Sequence, residues 1–450
     1  MTQTIKRKLS ESKAARWTAL LIVSFTMMFT YFITDVAAPL EDLLTKLQSE
    51  GGLGWTSDEY GFFSGAYGYI NVFLLMLFVG GFILDVCGVR ITGVMSCGLM
   101  LVGTLIKWYA LYGSFGTTTL FGTMYHTSAV LAALGFAIFG MGAEIAGITV
   151  TKVIAKWFAG HEMALAMGLQ VALARVGTAV ALGCSRPLAE HFQNVSAPIL
   201  LGVGLLCIGL LAYIVYCVLD EKLDASKVGQ TGDNDEKFRF SDIKHIFGNW
   251  GFWLIALLCV LFYSGVFPFL KFATKFMIVK YGVDPKLAGL IPAMLPFGTM
   301  ILTPVFGLLY DMIGKGATLM TIGSIMLTAT HVLFALPLLN VWWFAVIVMI
   351  LLGVAFSLVP SAMWPAVPKI IPMNQLGTAY AIIFFIQNIG LSLVPVMIGS
   401  FIPENAIADD YLLPMSVFAI FGVVSIIISL FLKRVDKTQG YGLELPNIKK

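Results

Sequence analysis

Charge is what this sequence has least of. Of its 450 residues, 12% are Asp, Glu, Lys or Arg, against about 25% in a soluble domain. A soluble fold needs a charged outer surface, so that class is excluded. Cysteine is sparse as well. Cys87, Cys97, Cys184, Cys207, Cys217 and Cys259 form no CxxC pair and mostly fall in apolar stretches. Neither a disulfide framework nor a metal site is expected, and they read as small core hydrophobes. No Walker loop, HExxH, GxSxG or haem motif is present. We therefore expect no enzyme, no cofactor and no nucleotide-driven pump. The strict alternation of a membrane β-strand is missing, which excludes a barrel. The first apolar block begins at Trp17, has no small-residue cleavage site and is long enough to persist as a span, so a cleaved signal is not expected. The net charge of +3 is small and says little about partners; no nucleic-acid partner is expected.

What is abundant is apolar surface. Hydrophobic residues make up 58% of the chain and the mean hydropathy is +0.89. They come in blocks of about twenty, the length that crosses a hydrocarbon core, and in lipid such blocks must be helices because every backbone polar group needs an internal partner. Twelve spans follow. The first six are Trp17–Ala38, Tyr60–Leu84, Ile91–Tyr112, Ser128–Ala155, Met163–Ser185 and Ser196–Leu219; the last six are Trp250–Ala273, Leu287–Tyr310, Ala317–Leu336, Val341–Trp364, Leu376–Ser400 and Leu413–Leu432. The 45 glycines suit close packing of membrane helices.

Basic residues gather on one side of this arrangement, at Lys6, Arg7, Lys8, Lys13, Arg16, Arg90, Lys152, Lys156, Lys315, Lys433, Arg434 and Lys437. Acidic ones gather on the other, at Glu41, Asp42, Asp58, Glu59, Glu404, Asp409 and Asp410. The positive-inside rule then puts both termini in the cytoplasm; Lys280 and Lys286 are exceptions. The stretch 220–249 contains DASKVGQTGDNDEK, a flexible polar linker. It divides the chain into 1–219 and 250–450, each with six spans. The chain also repeats itself. GFILDVCGVR after span two and GLLYDMIGKG after span eight align Gly81 with Gly307, Asp85 with Asp311 and Gly88 with Gly314, each pair 226 residues apart. Parallel six-span repeats of this kind are one architecture of secondary transporters.

The two loops resemble the G-x-L-x-D-x-x-G-x-R signature of the major facilitator superfamily. That resemblance implies an all-α membrane fold of twelve helices in two pseudo-symmetric six-helix bundles. It also implies a clasp in which Asp85, Arg90 and Asp311 hold the cytoplasmic ends together, with the Asp near a helix N-terminus. More narrowly, YFITDVAAPL, YGYINVFLLMLFVGGFILD, GMGAEIAGITVTKVIAKWF and MWPAVPKIIPMNQLGTAYAIIFFIQNIGLS are similar to the branch of that superfamily containing a lysosomal dipeptide transporter. The implied activity is passage of dipeptides recognised by their charged ends. The implied partners are the bilayer, the solute, and protons if transport is coupled; an accessory membrane protein stays open. A bacterial inner membrane suits the compact chain, with the lysosomal membrane as the alternative.

Ionisable residues inside spans are costly and mark function by default. Glu144 in span four and Arg175 in span five lie about 16 and 18 Å from the same face, at 1.5 Å per residue. At matching depth they can take the ammonium and the carboxylate of a zwitterion, and they fit the family's acid and base; a structural ion pair is the competing reading. Asp35 in span one can bind an amine or a proton, or sit at the interface. With Lys271 of span seven it forms a candidate outer gate, unless Lys271 snorkels. Tyr67, Tyr263, Gln387 and Asn388 are candidate lining residues, with Asn388 placed in span eleven as Arg175 is in span five. Tyr31, Tyr69 and Asn71 share the same two spans as Asp35 and Tyr67. The function these residues suggest is movement of small zwitterions, most simply dipeptides, by alternating access. An organic-anion carrier using Arg175 and Lys271, or a receptor or accessory subunit that moves nothing, are the alternatives.

Overall fold

A computed structural model of the chain describes residues 12–47, 52–120, 122–158, 163–226, 246–337, 339–372 and 375–446. Most of the expected linker, 227–245, lies outside them. The helices are α1 (Lys13–Asp35), α2 (Glu41–Thr45), α3 (Ser57–Gly65), α4 (Tyr69–Phe73), α5 (Met76–Tyr112), α6 (Thr127–Trp157), α7 (Met163–His191) and α8 (Ala197–Ser226), then α9 (Trp250–Tyr281), α10 (Leu290–Ile313), α11 (Gly316–Ala335), α12 (Trp342–Ile370), α13 (Leu376–Phe401) and α14 (Leu412–Gln439). Among the described residues, eleven helical stretches are long and apolar enough to cross a bilayer. A twelfth crossing is a bent pair, Ser57–Phe73 with Met76–Leu84. The protein is an all-helical integral membrane protein.

The helix ends follow local chemistry. Ser12 caps α1 and Asn249 caps α9 through their side-chain oxygens. Thr56 and Glu59 form a reciprocal capping box at the start of α3, which satisfies two orphan donors at once. Gly88 and Gly314, the matched glycines of the two signature loops, have φ of 74° and 69°. A left-handed turn there needs glycine, and each turn reverses the chain between consecutive spans. Between α5 and α6 lies a short hairpin, β1 (Thr117–Leu120) with β2 (Thr123–His126), in register Thr117↔His126. His126 Nδ1 lies 2.9 Å from Glu59 Oε2, tying the hairpin to α3.

Span two departs from the straight helix expected over Tyr60–Leu84. It carries a 3-10 turn at Ala66–Gly68 and then breaks, with a 60° bend between α4 and α5. Leu75 at the break has φ 53°, a left-handed conformation that costs a non-glycine residue about 1–2 kcal/mol. Packing holds it there: Asn71 Nδ2 donates to Gly140 O at 3.2 Å, fixing α4 on α6. Span six is also longer than expected, since α8 continues through Asp220 to Ser226.

Within the first six spans α5 packs on α6 and α8, and α1 on α7 and α8; within the last six α11 packs on α12 and α14, and α9 on α13 and α14. Small residues let backbones meet: a Cβ on Gly135 would lie 2.6 Å from Gly103 O, and one on Gly177 would lie 2.0 Å from Met28 O. Contacts between the two groups of spans collect on the side away from the termini, here the far side. There α3 lies on α13, where Cβ atoms on Gly61 and Gly65 would meet Pro395 O at 2.6 Å and Ser392 O at 2.2 Å. On the same side α7 lies on α10, with a Cβ on Gly289 meeting Leu182 O at 2.1 Å.

Candidate functional site

Glu144 and Arg175 lie beneath this far-side closure, on α6 and α7. A Cβ on Gly140 would stand 2.0 Å from Tyr67 O, so glycine there lets the 3-10 turn of span two rest directly on α6. That contact places Tyr67, whose hydroxyl donates to Glu144 Oε1 at 2.9 Å. Asn388 of α13 also faces Glu144. Its Nδ2 donates to Phe384 O at 2.9 Å, while its buried Oδ1 has no hydrogen-bond partner. The carboxylate is therefore met by neutral donors.

Arg175 has different company. Its guanidinium lies over three rings, Tyr31 at 5.5 Å, Phe267 at 5.4 Å and Phe356 at 5.3 Å from the centroids. Rings from α1, α9 and α12 thus form an aromatic box about one half-buried cation, a favourable arrangement. Among the described residues Arg175 makes no ion pair. The expected approach of Glu144 to Arg175 does not appear as an ion pair among the described residues: the carboxylate accepts from Tyr67 and the guanidinium faces rings instead. Depth counted along a span sets height but not the direction in which a side chain points, and the two point to different neighbours.

The other lining candidates extend the box. Tyr263 packs on Phe267 and Phe356 and accepts from Trp364 Nε1 at 3.0 Å. Gln387 Oε1 accepts from Cys259 at 3.4 Å. Tyr69 and Asn71 instead make structural bonds, to Phe62 O and Gly140 O. Among the described residues no group of His, Cys, Asp and Glu is arranged to hold a metal ion.

Above the site, Lys271 Nζ lies 2.7 Å from Asp35 Oδ1 and 2.8 Å from Thr34 O. Thr178 donates to Asp35 Oδ2 at 2.9 Å. The side chains are 13% and 7% exposed, so this is a buried ion pair across the two groups of spans. Lys275 with Glu41, at 3.6 Å, and Arg186 with Asp42 add further pairs on that side. Sequence reading missed Lys107 of α5. It is fully buried, donates to Ile33 O at 3.0 Å and sits 4.5 Å from the Phe136 ring centroid. An ionisable residue inside a span was signal enough to find it.

At the opposite, terminal side the named polar contacts run within each group of spans. Arg90 pairs with Asp224 at 3.0 Å and Asp220 at 3.6 Å, and Lys156 with both at 2.8 Å. The Asp85 side chain lies outside the described residues, so the basic end of the first signature is seen engaging α8. Asp311 lies in the last turn of α10. The turn after it is held by the C-terminal segment: Lys315 N donates to Glu444 O at 3.1 Å, and Gly316 N to Leu443 O at 2.8 Å. Glu444 also accepts from Thr318 N at 2.9 Å, capping α11.

Comparison with known proteins places this geometry. The family model described as Major Facilitator Superfamily matches residues 20–395. The lysosomal dipeptide transporter MFSD1 of Homo sapiens is 28% identical over 441 residues, covering 96% of this chain and 88% of that protein. The protein of the same name from Bos taurus is 29% identical over 396 residues, covering 86% and 79%. Among solved structures, a bacterial homolog of the human lysosomal transporter Spinster, inward-facing and unoccupied, has a TM-score of 0.71 at 14% identity, covering 98% of this chain and 99% of that one. A mutant peptide transporter POT bound to alafosfalin has a TM-score of 0.68 at 13% identity, covering 95% of each. At these identities the solved structures show a shared fold.

Proposed function

The chain belongs to the Major Facilitator Superfamily, and from that premise we propose that this membrane transporter carries dipeptides or similar small zwitterions by alternating access. The observation that carries the reading is that Glu144 and Arg175 form no ion pair among the described residues. A cation boxed by aromatic rings and a carboxylate met by neutral donors do not cancel each other. They offer two poles in one low-dielectric site, with the Arg fork suited to a carboxylate and Glu144 to an ammonium. The relatives named as dipeptide transporters support the same solute class. Residues 1–219 and 250–450 act as the moving halves. The Asp35–Lys271 pair serves as far-side gate, and the Arg90 cluster and the loop after Asp311 as rigid clasps on the cytoplasmic side. Tyr67, Asn388, Gln387 and Tyr263 line the cavity, with Asp35 above it. A bacterial inner membrane is the proposed setting.

Proteoliposomes containing the purified chain should take up dipeptides, and free amino acids or dicarboxylates far less. Dicarboxylate uptake without dipeptide uptake would transfer Arg175 to an organic-anion site and reject this reading. Imposing a pH gradient separates uniport from proton coupling. A second expectation tests the placement of Tyr67. Gly140→Ala forces a Cβ into Tyr67 O, and overpacking of about 1–3 kcal/mol should move that hydroxyl off Glu144 and lower uptake by about tenfold. Gly147→Ala, on the same helix with open space around its Cβ, should behave as wild type. Equal behaviour of the two variants would remove Tyr67 from the site.

A further inference from the structure

Among the described residues no hydrogen bond, ion pair or ring contact joins Lys107 to the residues proposed to line the site, yet it meets the same helix end as the proposed gate. The last-turn carbonyls of a helix lack intrahelical donors and carry the negative end of its dipole. Helix α1 ends at Asp35. Lys107 donates to Ile33 O at 3.0 Å and Lys271 to Thr34 O at 2.8 Å. The two ammonium groups also flank one ring, lying 4.5 and 5.9 Å from the Phe136 centroid. The charged groups that act on Lys107 are Lys271 and Asp35. The closure thus sets one carboxylate and one helix end against two cations. One cation comes from α9 across the interface, the other from α5 on the same side as α1.

That asymmetry matters when the far side opens. Lys271 leaves with α9, whereas Asp35 remains on α1 with Thr178. A carboxylate that loses its cation is disfavoured wherever it stays shielded from water, and Thr178 and the end of α1 still cover Asp35 from its own side, so a counter-ion that travels with α1 favours opening. We propose that Lys107 is that resident counter-ion: it stays with the end of α1 through the cycle, takes over the charge of Asp35 as Lys271 withdraws, and so sets the balance between closed and open far sides. It is a positioning residue that does not contact solute, and the role rests on the alternating-access reading above.

The test reads conformation rather than uptake. Nitroxides at Phe192 and Leu287, exposed residues beyond α7 and before α10, report the far-side separation in a full-length chain whose native cysteines are replaced by alanine. Starting from two populations, Lys107→Met should deplete the open one at least tenfold, and Lys107→Arg should keep the starting balance. Adding Asp35→Asn to Lys107→Met should bring the open population back to at least its starting level, because no carboxylate then needs a cation. A merely structural lysine predicts no such reversal. Two populations that Lys107→Met leaves unchanged, or that the double variant fails to restore, overturn the role of Lys107 alone. A single closed population in every variant overturns alternating access and the counter-ion together.

Discussion

Arg175→Ala is expected to lower dipeptide uptake by about two orders of magnitude or more. The guanidinium is the one cation placed among Tyr31, Phe267 and Phe356, and no protein carboxylate pairs with it among the described residues. A solute carboxylate would therefore gain its full attraction without first displacing an internal partner. Truncating one side of a buried, hydrogen-bonded charge pair costs about 2–5 kcal/mol, and each ~1.4 kcal/mol is a factor of ten. Lysine at the same position keeps the charge but loses the planar fork that faces the three rings, so Arg175→Lys should recover only part of the loss. Initial uptake rates over a concentration series in proteoliposomes measure both. Near-normal uptake by Arg175→Ala removes this residue from the site.

The second large effect concerns the proposed gate. Asp35→Asn leaves Lys271 and Lys107 facing each other at the end of α1 with no carboxylate between them. Breaking a buried ion pair by removing one partner costs about 3–5 kcal/mol. The variant should lose about a hundredfold in transport through loss of the far-side-closed state. Lys271→Met should be the milder change, because Lys107 remains to serve Asp35. The exchange Asp35→Lys with Lys271→Asp restores opposite charges across the interface and should recover at least a tenfold portion of what Asp35→Asn loses. An exchange variant no better than the worse single replacement would show that the pair is not a gate.

Much of this architecture was legible because hydrophobic length and charge are one-dimensional signals. Twelve crossings, the matched turns at Gly88 and Gly314, and the meeting of Asp35 with Lys271 follow from span length, glycine chemistry and equal depth. Direction around a helix is a different kind of information. Glu144 and Arg175 are expected at one height from their positions along the spans, but packing turns the first toward Tyr67 and the second into an aromatic box. The break at Leu75 has no glycine or proline to announce it. It exists because Asn71 and Tyr67 are held on α6 by a bond to, and close contact with, Gly140. The hairpin at 117–126 is too short to stand out from a loop. Asp85, Arg90 and Asp311 are expected to form a clasp; what spacing does not announce is that α8 continues into the stretch assigned to the linker and brings Asp220 and Asp224 to Arg90. Lys107 was legible and overlooked, a lone charge inside an apolar run.

The central claim is that the site recognises a zwitterion at two separate poles. The most direct measurement is competition against a radiolabelled dipeptide by the same dipeptide with its amine acetylated, its carboxylate amidated, or both. The two-pole account predicts that each single block weakens competition at least tenfold in the wild type. It also predicts that the amide-blocked ligand loses nothing further in Arg175→Ala, and the acetylated one nothing further in Glu144→Gln. Equal competition by the free and the doubly blocked dipeptide in the wild type would contradict it.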